Sequence, residues 1–329
     1  MRIAIFSTYT YDEAYLSRFN TGHELTFFVL PLNEQTVTLT QGYDAICIFV
    51  NDTVNKEVLE VLHKNGVRLV VLRCAGFNNV DVAAAAQLNI PVVRVPAYSP
   101  EAVAEHAMAL ILTLNRKTHK AYNRVREGNF SLEKLIGFNL HERKVAVIGT
   151  GNIGKAFCNI LRGFGCRIYA YDIYPDPEMA ASGVTYGSLE ETLADADIVS
   201  LHCPLMDSTH QMINAETLQL FKKGAMLINT SRGGLINTVD VIAALKHGQL
   251  GYLGLDVYEQ EGKLFFQDYS EDVIQDDMIL RLISFPNVLI TSHQGFFTQE
   301  AMEQIATITF RNIDEFASSI ELSNQVKVS

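Results

Sequence analysis

The sequence has no cationic excess. It carries 26 Lys and Arg against 37 Asp and Glu, a net charge of −11. Such a surface repels phosphate backbones and anionic lipid, which argues against a nucleic-acid or membrane partner. It also lacks any Cys-x-x-Cys pair. The five cysteines, Cys47, Cys74, Cys158, Cys166 and Cys203, are odd in number and dispersed. That pattern disfavours a disulfide framework or a metal site, and a reduced cytoplasmic protein is the expectation. Long apolar runs are missing as well. The longest, 102–114, contains Glu105 and His106 and is too short to span a bilayer. The opening run 3–6 stops at Ser7 and Thr8, so no secretory segment is expected. There are no repeats, low-complexity tracts or long flexible linkers.

What is present fits a soluble globular protein, with 48% hydrophobic and 19% charged residues. A length of 329 residues suggests two domains at roughly 150 residues each. Short β-branched runs recur at 2–7, 45–50, 68–73 and 92–95, then at 145–149, 167–172, 197–202, 225–229, 252–257 and 288–291. Runs apolar on both faces, alternating with helical segments, are expected of parallel sheets covered on both sides. The fold class is therefore α/β and doubly wound. The spacing predicts one long helix from Ser99 to about Gly128, with Pro100 at its first turn. A second helix is predicted over 298–319, where Ala301, Ile305, Ile308, Ile313 and Phe316 share a face.

Residues 145–154 read V-A-V-I-G-T-G-N-I-G, a strand running into Gly149-x-Gly151-x-x-Gly154. In that pattern the first glycine allows the tight turn and the second lets the backbone approach a pyrophosphate. The third lets the next helix pack against the strand and offer its amino end to the phosphates. The following strand ends in Asp172, roughly twenty residues on, where a carboxylate accepts hydrogen bonds from a ribose and repels a 2′-phosphate. No Arg follows it in I-Y-P-D-P-E, so NAD is expected rather than NADP. The motif sits mid-chain, which suits a cofactor domain inserted into a domain built from both chain ends.

Three polar residues follow three successive predicted strands. Arg232 comes after A-M-L-I-N, Glu261 after Y-L-G-L, and His293 after N-V-L-I. Ligands of open parallel sheets bind beyond the carboxyl ends of the strands. Reducing a 2-keto acid adds a hydride to carbon and a proton to oxygen. A protonated His can give that proton, a neighbouring carboxylate favours the charged ring, and an Arg can clamp a carboxylate and polarise a carbonyl. Glu259 competes with Glu261 for the acid's place on sequence alone.

The sequence resembles the D-isomer-specific 2-hydroxyacid dehydrogenases over nearly its whole length. The resemblance is carried by R-C-A-G-F-N-N-V-D at 73–81, V-P-A-Y-S-P-E-A-V-A-E-H at 95–106, the glycine motif, L-H-C-P-L at 201–205, N-T-S-R-G-G at 229–234 and T-S-H-Q. R-C-A-G-F-N-N and the stretch 264–277 are similar to the D-lactate branch. The resemblance implies a Rossmann NAD domain over 101–297 inserted into a flavodoxin-like substrate domain of 1–100 and 298–329. Closure of the cleft between the two would then exclude water. It makes Arg232, Glu261 and His293 the catalytic trio, with Glu261 rather than Glu259 orienting His293 and favouring its charged form. Asn152, Ile153, Cys203, Pro204, Thr230, Ser231 and Asp256 would join Gly149, Gly151, Gly154 and Asp172 at the cofactor. Backbone N–H groups at Ala75 and Gly76 would bind the substrate carboxylate, and Phe49, Tyr98 and Phe296 would crowd its side chain. Further implications are a homodimer or tetramer, with contact through the long helix, and a small 2-keto acid substrate. Pyruvate reduced to D-lactate is the leading expectation; bulkier keto acids and an NAD-sensing role are the alternatives.

Overall fold

In a computed structural model that describes residues 1–327, the chain divides into two compact units, Met1–Ser99 with Phe297–Ser329, and Pro100–Phe296. The first unit begins with β1 (Arg2–Ile5), α1 (Thr10–Phe19), β2 (Glu24–Phe27), β3 (Ala45–Ile48), α2 (Lys56–Lys64), β4 (Leu69–Leu72), α3 (Val82–Gln87) and β5 (Val92–Arg94). These strands form one parallel sheet in the order β2-β1-β3-β4-β5, the flavodoxin-like arrangement. Every residue of β3 and β4 is buried, as central strands covered on both faces require. Asn55 caps α2 through the Val58 N–H and Asp81 caps α3 through the Ala84 N–H, so both loops hand over to helix where a side-chain acceptor is available.

The second unit contains α4 (Pro100–Arg116), α5 (Thr118–Arg126), β6 (Lys144–Ile148), α6 (Asn152–Gly163), β7 (Arg167–Tyr171), α7 (Pro177–Ala181), β8 (Thr185–Tyr186), α8 (Leu189–Leu193), β9 (Ile198–Leu201), α9 (Ala215–Leu220), β10 (Ala225–Asn229), α10 (Thr238–His247), β11 (Leu250–Leu255), α11 (Asp277–Ser284) and β12 (Val288–Ile290). Its seven parallel strands run in the order β12-β11-β10-β9-β6-β7-β8. The strand order reverses between β6 and β9, which places the switch point of a dinucleotide fold at the end of β6. Alternate residues of β6 feed the two cores. Val145 and Val147 pack with α4 and α6, whereas Ala146 and Ile148 pack with α8, α9 and α10. The chain then returns to the first unit as α12 (Gln299–Ala317), whose Ala306, Phe310 and Ile313 cover β1, β3, β4 and β5.

The single helix expected over 99–128 is two. Lys117 adopts φ 51°, ψ 37°, a left-handed conformation that a helix cannot continue through. The carboxyl end of α4 is held by the returning chain. Buried Asn115 accepts from Phe138 N–H at 2.8 Å and donates to Phe138 O at 2.8 Å, and Lys117 Nζ donates to Lys134 O at 2.8 Å. The apolar face of α4 lies on its own unit's sheet, where a Cβ at Gly254 would meet Leu110 and Leu114 at 3.3 and 3.2 Å. Its apolar excess is accounted for there, and α5 buries none of its residues. Two edge strands lie outside the predicted runs: β8 has only two residues, and β2 opens the apolar stretch 25–30. Among the described residues no helix is long and apolar enough to cross a membrane.

Candidate active site

The glycine motif forms a turn whose dimensions only glycine satisfies at two of its three positions. Gly149 has φ 95°, and a Cβ there would lie 2.5 Å from the Cys203 nitrogen. A Cβ on Gly154 would lie 2.0 Å from the Gly149 carbonyl oxygen, so α6 packs on β6 only without one. Gly151 differs: its φ of −64° suits any residue, and a Cβ would meet nothing within 4 Å. The protein itself leaves open space over the amino end of α6, where Gly151 caps without a side chain and exposed Asn152 and half-buried Ile153 begin the helix. That is the shape a pyrophosphate needs.

Asp172 stands one residue past β7 and is fixed by this turn. One oxygen accepts from Thr150 N–H at 2.6 Å and Thr150 Oγ1 at 3.1 Å, and the other accepts from Tyr174 N–H at 2.9 Å. The carboxylate is thus set at the lip of the glycine turn before any ribose arrives. Along the same strand ends, Cys203 is buried and its carbonyl accepts from Ser231 Oγ at 2.7 Å, while Pro204 is exposed. Buried Thr230 has an Oγ1 with no partner among the described residues. A buried hydroxyl is costly without a partner. Together with the open space at Gly151, it fits a bound dinucleotide.

Arg232, Glu261 and His293 follow β10, β11 and β12, three adjacent strands. His293 Nδ1 lies 2.8 Å from Glu261 Oε1, with side chains 15% and 23% exposed. The other Glu261 oxygen accepts from Tyr258 N–H at 2.8 Å, which fixes the carboxylate. Glu259 is turned elsewhere, accepting from Gln211 Nε2 and Thr238 Oγ1 at 3.0 and 2.8 Å. Half-buried Arg232 spends one guanidinium nitrogen on Ser231 O at 2.7 Å, and no carboxylate pairs with it among the described residues. Its remaining donors are available to a ligand.

Asp256, expected at the cofactor, stands directly after β11. Its carboxylate is 2% exposed and is satisfied within the protein. It accepts from Thr291 Oγ1 at 2.6 Å, Gln294 N–H at 2.9 Å and Gly295 N–H at 2.8 Å, and lies 3.2 Å from His106 Nε2. Burial pushes its pKa up, but the bonds from His106 and Thr291 outweigh that and hold it below the usual carboxylate range. The carboxylate braces the loop that carries His293, a residue at φ 50° whose own N–H donates to Asp256 O at 2.7 Å. His106 and Thr291 are parts of the site that sequence reasoning missed. A histidine inside an otherwise apolar helix stretch was the available signal.

In the first unit, the turn after β4 presents Ala75 and Gly76, both half-buried, and no protein acceptor takes either N–H among the described residues. Phe49 is buried at the end of β3, with the Arg73 guanidinium 4.9 Å from its ring centroid. Arg73 is fully buried, donates to Phe6 O and Ser7 O at 2.9 and 2.7 Å, and faces Asp12 at 3.4 Å. Asp52 ties the same strand ends together through Ser7 Oγ, Leu32 N–H and Phe49 N–H. Phe49 is thereby part of a buried charged framework that the sequence did not reveal. Tyr98 is half-buried in this unit, and Phe296 is buried in the second. Among the described residues no cluster of His, Cys, Asp and Glu could hold a metal ion.

A parallel sheet ending in a glycine turn, an acid at its lip and a carboxylate-bound histidine four strands away defines a nicotinamide-dinucleotide-dependent dehydrogenase. Residues 108–295 match the family pattern described as D-isomer specific 2-hydroxyacid dehydrogenase, NAD binding domain. The chain belongs to the D-isomer specific 2-hydroxyacid dehydrogenase family. It is 52% identical to 2-hydroxyacid dehydrogenase A of Aspergillus oryzae, over 96% of this chain and 92% of that one. It is 48% identical to D-lactate dehydrogenase of Escherichia coli, over 99% and 100%. The crystal structure of D-lactate dehydrogenase with NAD+ from Lactobacillus jensenii superposes with a TM-score of 0.82 at 29% identity, covering all of both chains. The protein is an NAD-dependent oxidoreductase acting on 2-keto acids.

Proposed function

We propose that the protein reversibly reduces pyruvate to D-lactate, with His293 as proton donor and acceptor. The observation that carries this reading is the 2.8 Å contact of His293 Nδ1 with a carboxylate that is itself anchored to the backbone. Glu261 accepts a hydrogen bond from the Nδ1–H, so Nε2 is the atom that faces substrate and holds the transferable proton. Bound NADH supplies the hydride to the carbonyl carbon. Arg232 orients the keto acid and polarises its carbonyl through donors left free of any carboxylate, and Nε2 protonates the developing alkoxide. The charged imidazolium beside Glu261 is restored from solvent. The N–H groups of Ala75 and Gly76 bind the substrate carboxylate, and Phe49, Tyr98 and Phe296 limit the side chain to a small one. Asp172 selects NAD through the ribose. The D configuration and the choice of pyruvate are supported by the name of the Escherichia coli relative.

Residues 1–99 with 297–327 serve as the substrate domain and 100–296 as the cofactor domain in this reading. A homo-oligomer accords with exposed apolar side chains after α4, at Tyr122, Val125, Phe130, Leu132 and Ile136. A cytoplasmic setting accords with five cysteines that form no disulfide among the described residues.

The test is NADH oxidation by the purified protein against a panel of 2-keto acids, with chiral analysis of the product. Fast turnover of pyruvate to D-lactate is expected. Preference for a branched or aromatic keto acid would overturn the substrate, and NADH binding without turnover on any of them would point to a sensor.

A further inference from the structure

The turn that follows β4 has a second feature that the trio does not explain. The Ala75 carbonyl accepts a hydrogen bond from Arg94 Nη1 at 2.7 Å. Arg94 is the last residue of β5, the strand next to β4, and its backbone is pinned on both sides: its N–H donates to Asn324 O at 3.2 Å and its O accepts from Asn312 Nδ2 at 2.9 Å. The guanidinium lies over the Phe77 ring, 5.1 Å from the centroid. No carboxylate pairs with this half-buried cation among the described residues, in a chain of net charge −11. The turn is otherwise tied by Val95 N–H donating to Cys74 O at 3.2 Å.

The Ala75 carbonyl and the Gly76 N–H belong to one peptide group. That group is planar and trans, so its oxygen and its N–H point in opposite directions. A cation on the oxygen therefore leaves the N–H directed away from Arg94 and draws electron density from it, which strengthens it as a donor. We propose that Arg94 is a positioning residue for substrate recognition: it fixes and polarises the Ala75–Gly76 peptide so that the Gly76 N–H binds the carboxylate of a 2-keto acid. The chain thus places a positive charge one peptide behind the anion without a direct ion pair. In a strongly acidic protein this supplies local attraction that the global field opposes. The inference rests on the reading that this turn binds the substrate carboxylate.

The variants Arg94→Met, Arg94→Gln and Arg94→Lys separate polarisation from packing. Arg94→Met keeps much of the apolar contact with Phe77 and removes charge and donor. It should raise the KM for pyruvate, and the inhibition constant of oxamate (a carboxylate analogue of pyruvate), by about tenfold, the scale of one charge-assisted hydrogen bond. The kcat and the KM for NADH should stay near wild type, because those depend on the other unit's residues. Arg94→Lys, with its charge retained, should recover most of the affinity, and Arg94→Gln should fall between. If Arg94→Met does not fold, the Gln and Lys pair carries the same comparison. Equal KM and oxamate constants in wild type and the neutral variants would overturn the role of Arg94. A proportional loss of kcat and NADH affinity with no rescue by Lys would overturn it too, in favour of a packing role. A wild-type enzyme inactive on every 2-keto acid would instead sink the functional reading itself.

Discussion

Glu261→Gln is the substitution whose effect the structure constrains most tightly. Glu261 uses one oxygen for His293 Nδ1 and the other for Tyr258 N–H, both at 2.8 Å. A Gln amide has one oxygen and one NH2, so no orientation can accept from both donors. If its oxygen keeps the imidazole, the NH2 is pressed against the Tyr258 N–H; if it turns, the NH2 faces Nδ1 and selects the wrong tautomer. The variant also loses the negative charge that favours imidazolium. A hydrogen bond to a charged group contributes about 1.5–3 kcal/mol, and the 15% and 23% exposure of the two side chains argues for the lower half of that range. At about 1.4 kcal/mol per decade, kcat/KM for pyruvate reduction should drop at least tenfold at neutral pH. The assay is kcat/KM against pH with saturating NADH, beside circular dichroism and a measured NADH affinity. A profile that superimposes on wild type would remove Glu261 from the orienting role and with it the reason for placing the proton on Nε2.

Gly151→Ala tests the cofactor turn in isolation. Its backbone suits alanine and its Cβ would meet open space, so Tm should be unchanged while NADH affinity falls by about tenfold or more, measured by NADH fluorescence titration. Unaltered affinity would mean that the dinucleotide does not pass over this residue. Asp172→Asn can keep its one acceptor oxygen on Thr150, turning its NH2 toward the Tyr174 N–H, and removes the charge, so the kcat/KM ratio of NADH to NADPH should fall by about tenfold. An unmoved ratio would place ribose recognition elsewhere. Asp197, which accepts from Lys222 Nζ at 2.7 Å, Lys144 N–H at 3.0 Å and Arg143 at 3.2 Å, bears on acid stability. Burial raises its pKa, but the Lys222 and Lys144 bonds prevail and hold it below the usual 3.8. A depressed folded value means stability present above 3.8 and lost as pH falls through the folded pKa. Asp197→Asn should therefore flatten the acid limb of Tm against pH, and an unchanged limb would show that this carboxylate does not contribute.

The parallel sheets were legible because their central strands are apolar on both faces, as at 45–48 and 69–72, and because the glycine motif carries its own dimensions. Arg232, Glu261 and His293 were legible as residue types at strand ends; the residues alone left Glu259 and Glu261 open, the resemblance favoured Glu261, and the bend after β11 turns Glu259 toward Thr238 and Glu261 toward His293. Three things were hidden. The break at Lys117 depends on Asn115 pairing with the backbone of Phe138, a contact 23 residues away that no local pattern announces. Asp256 reads as a polar residue at a strand end, and only its partners from α4 and the His293 loop show that its carboxylate faces inward. The Arg73–Asp12–Asp52 framework joins three strand ends far apart in sequence, so no local pattern shows that these charges meet. Local periodicity identifies elements; long-range polar partners decide what the residues between them do.

The central claim is that His293 carries the proton in the reduction. The direct measurement is kcat for pyruvate reduction by His293→Ala, with NADH affinity measured on the same preparation. The account predicts a fall of about a hundredfold or more with NADH binding retained, the range of a positioned general acid. Turnover near wild type, in a folded variant that still binds NADH, would contradict it.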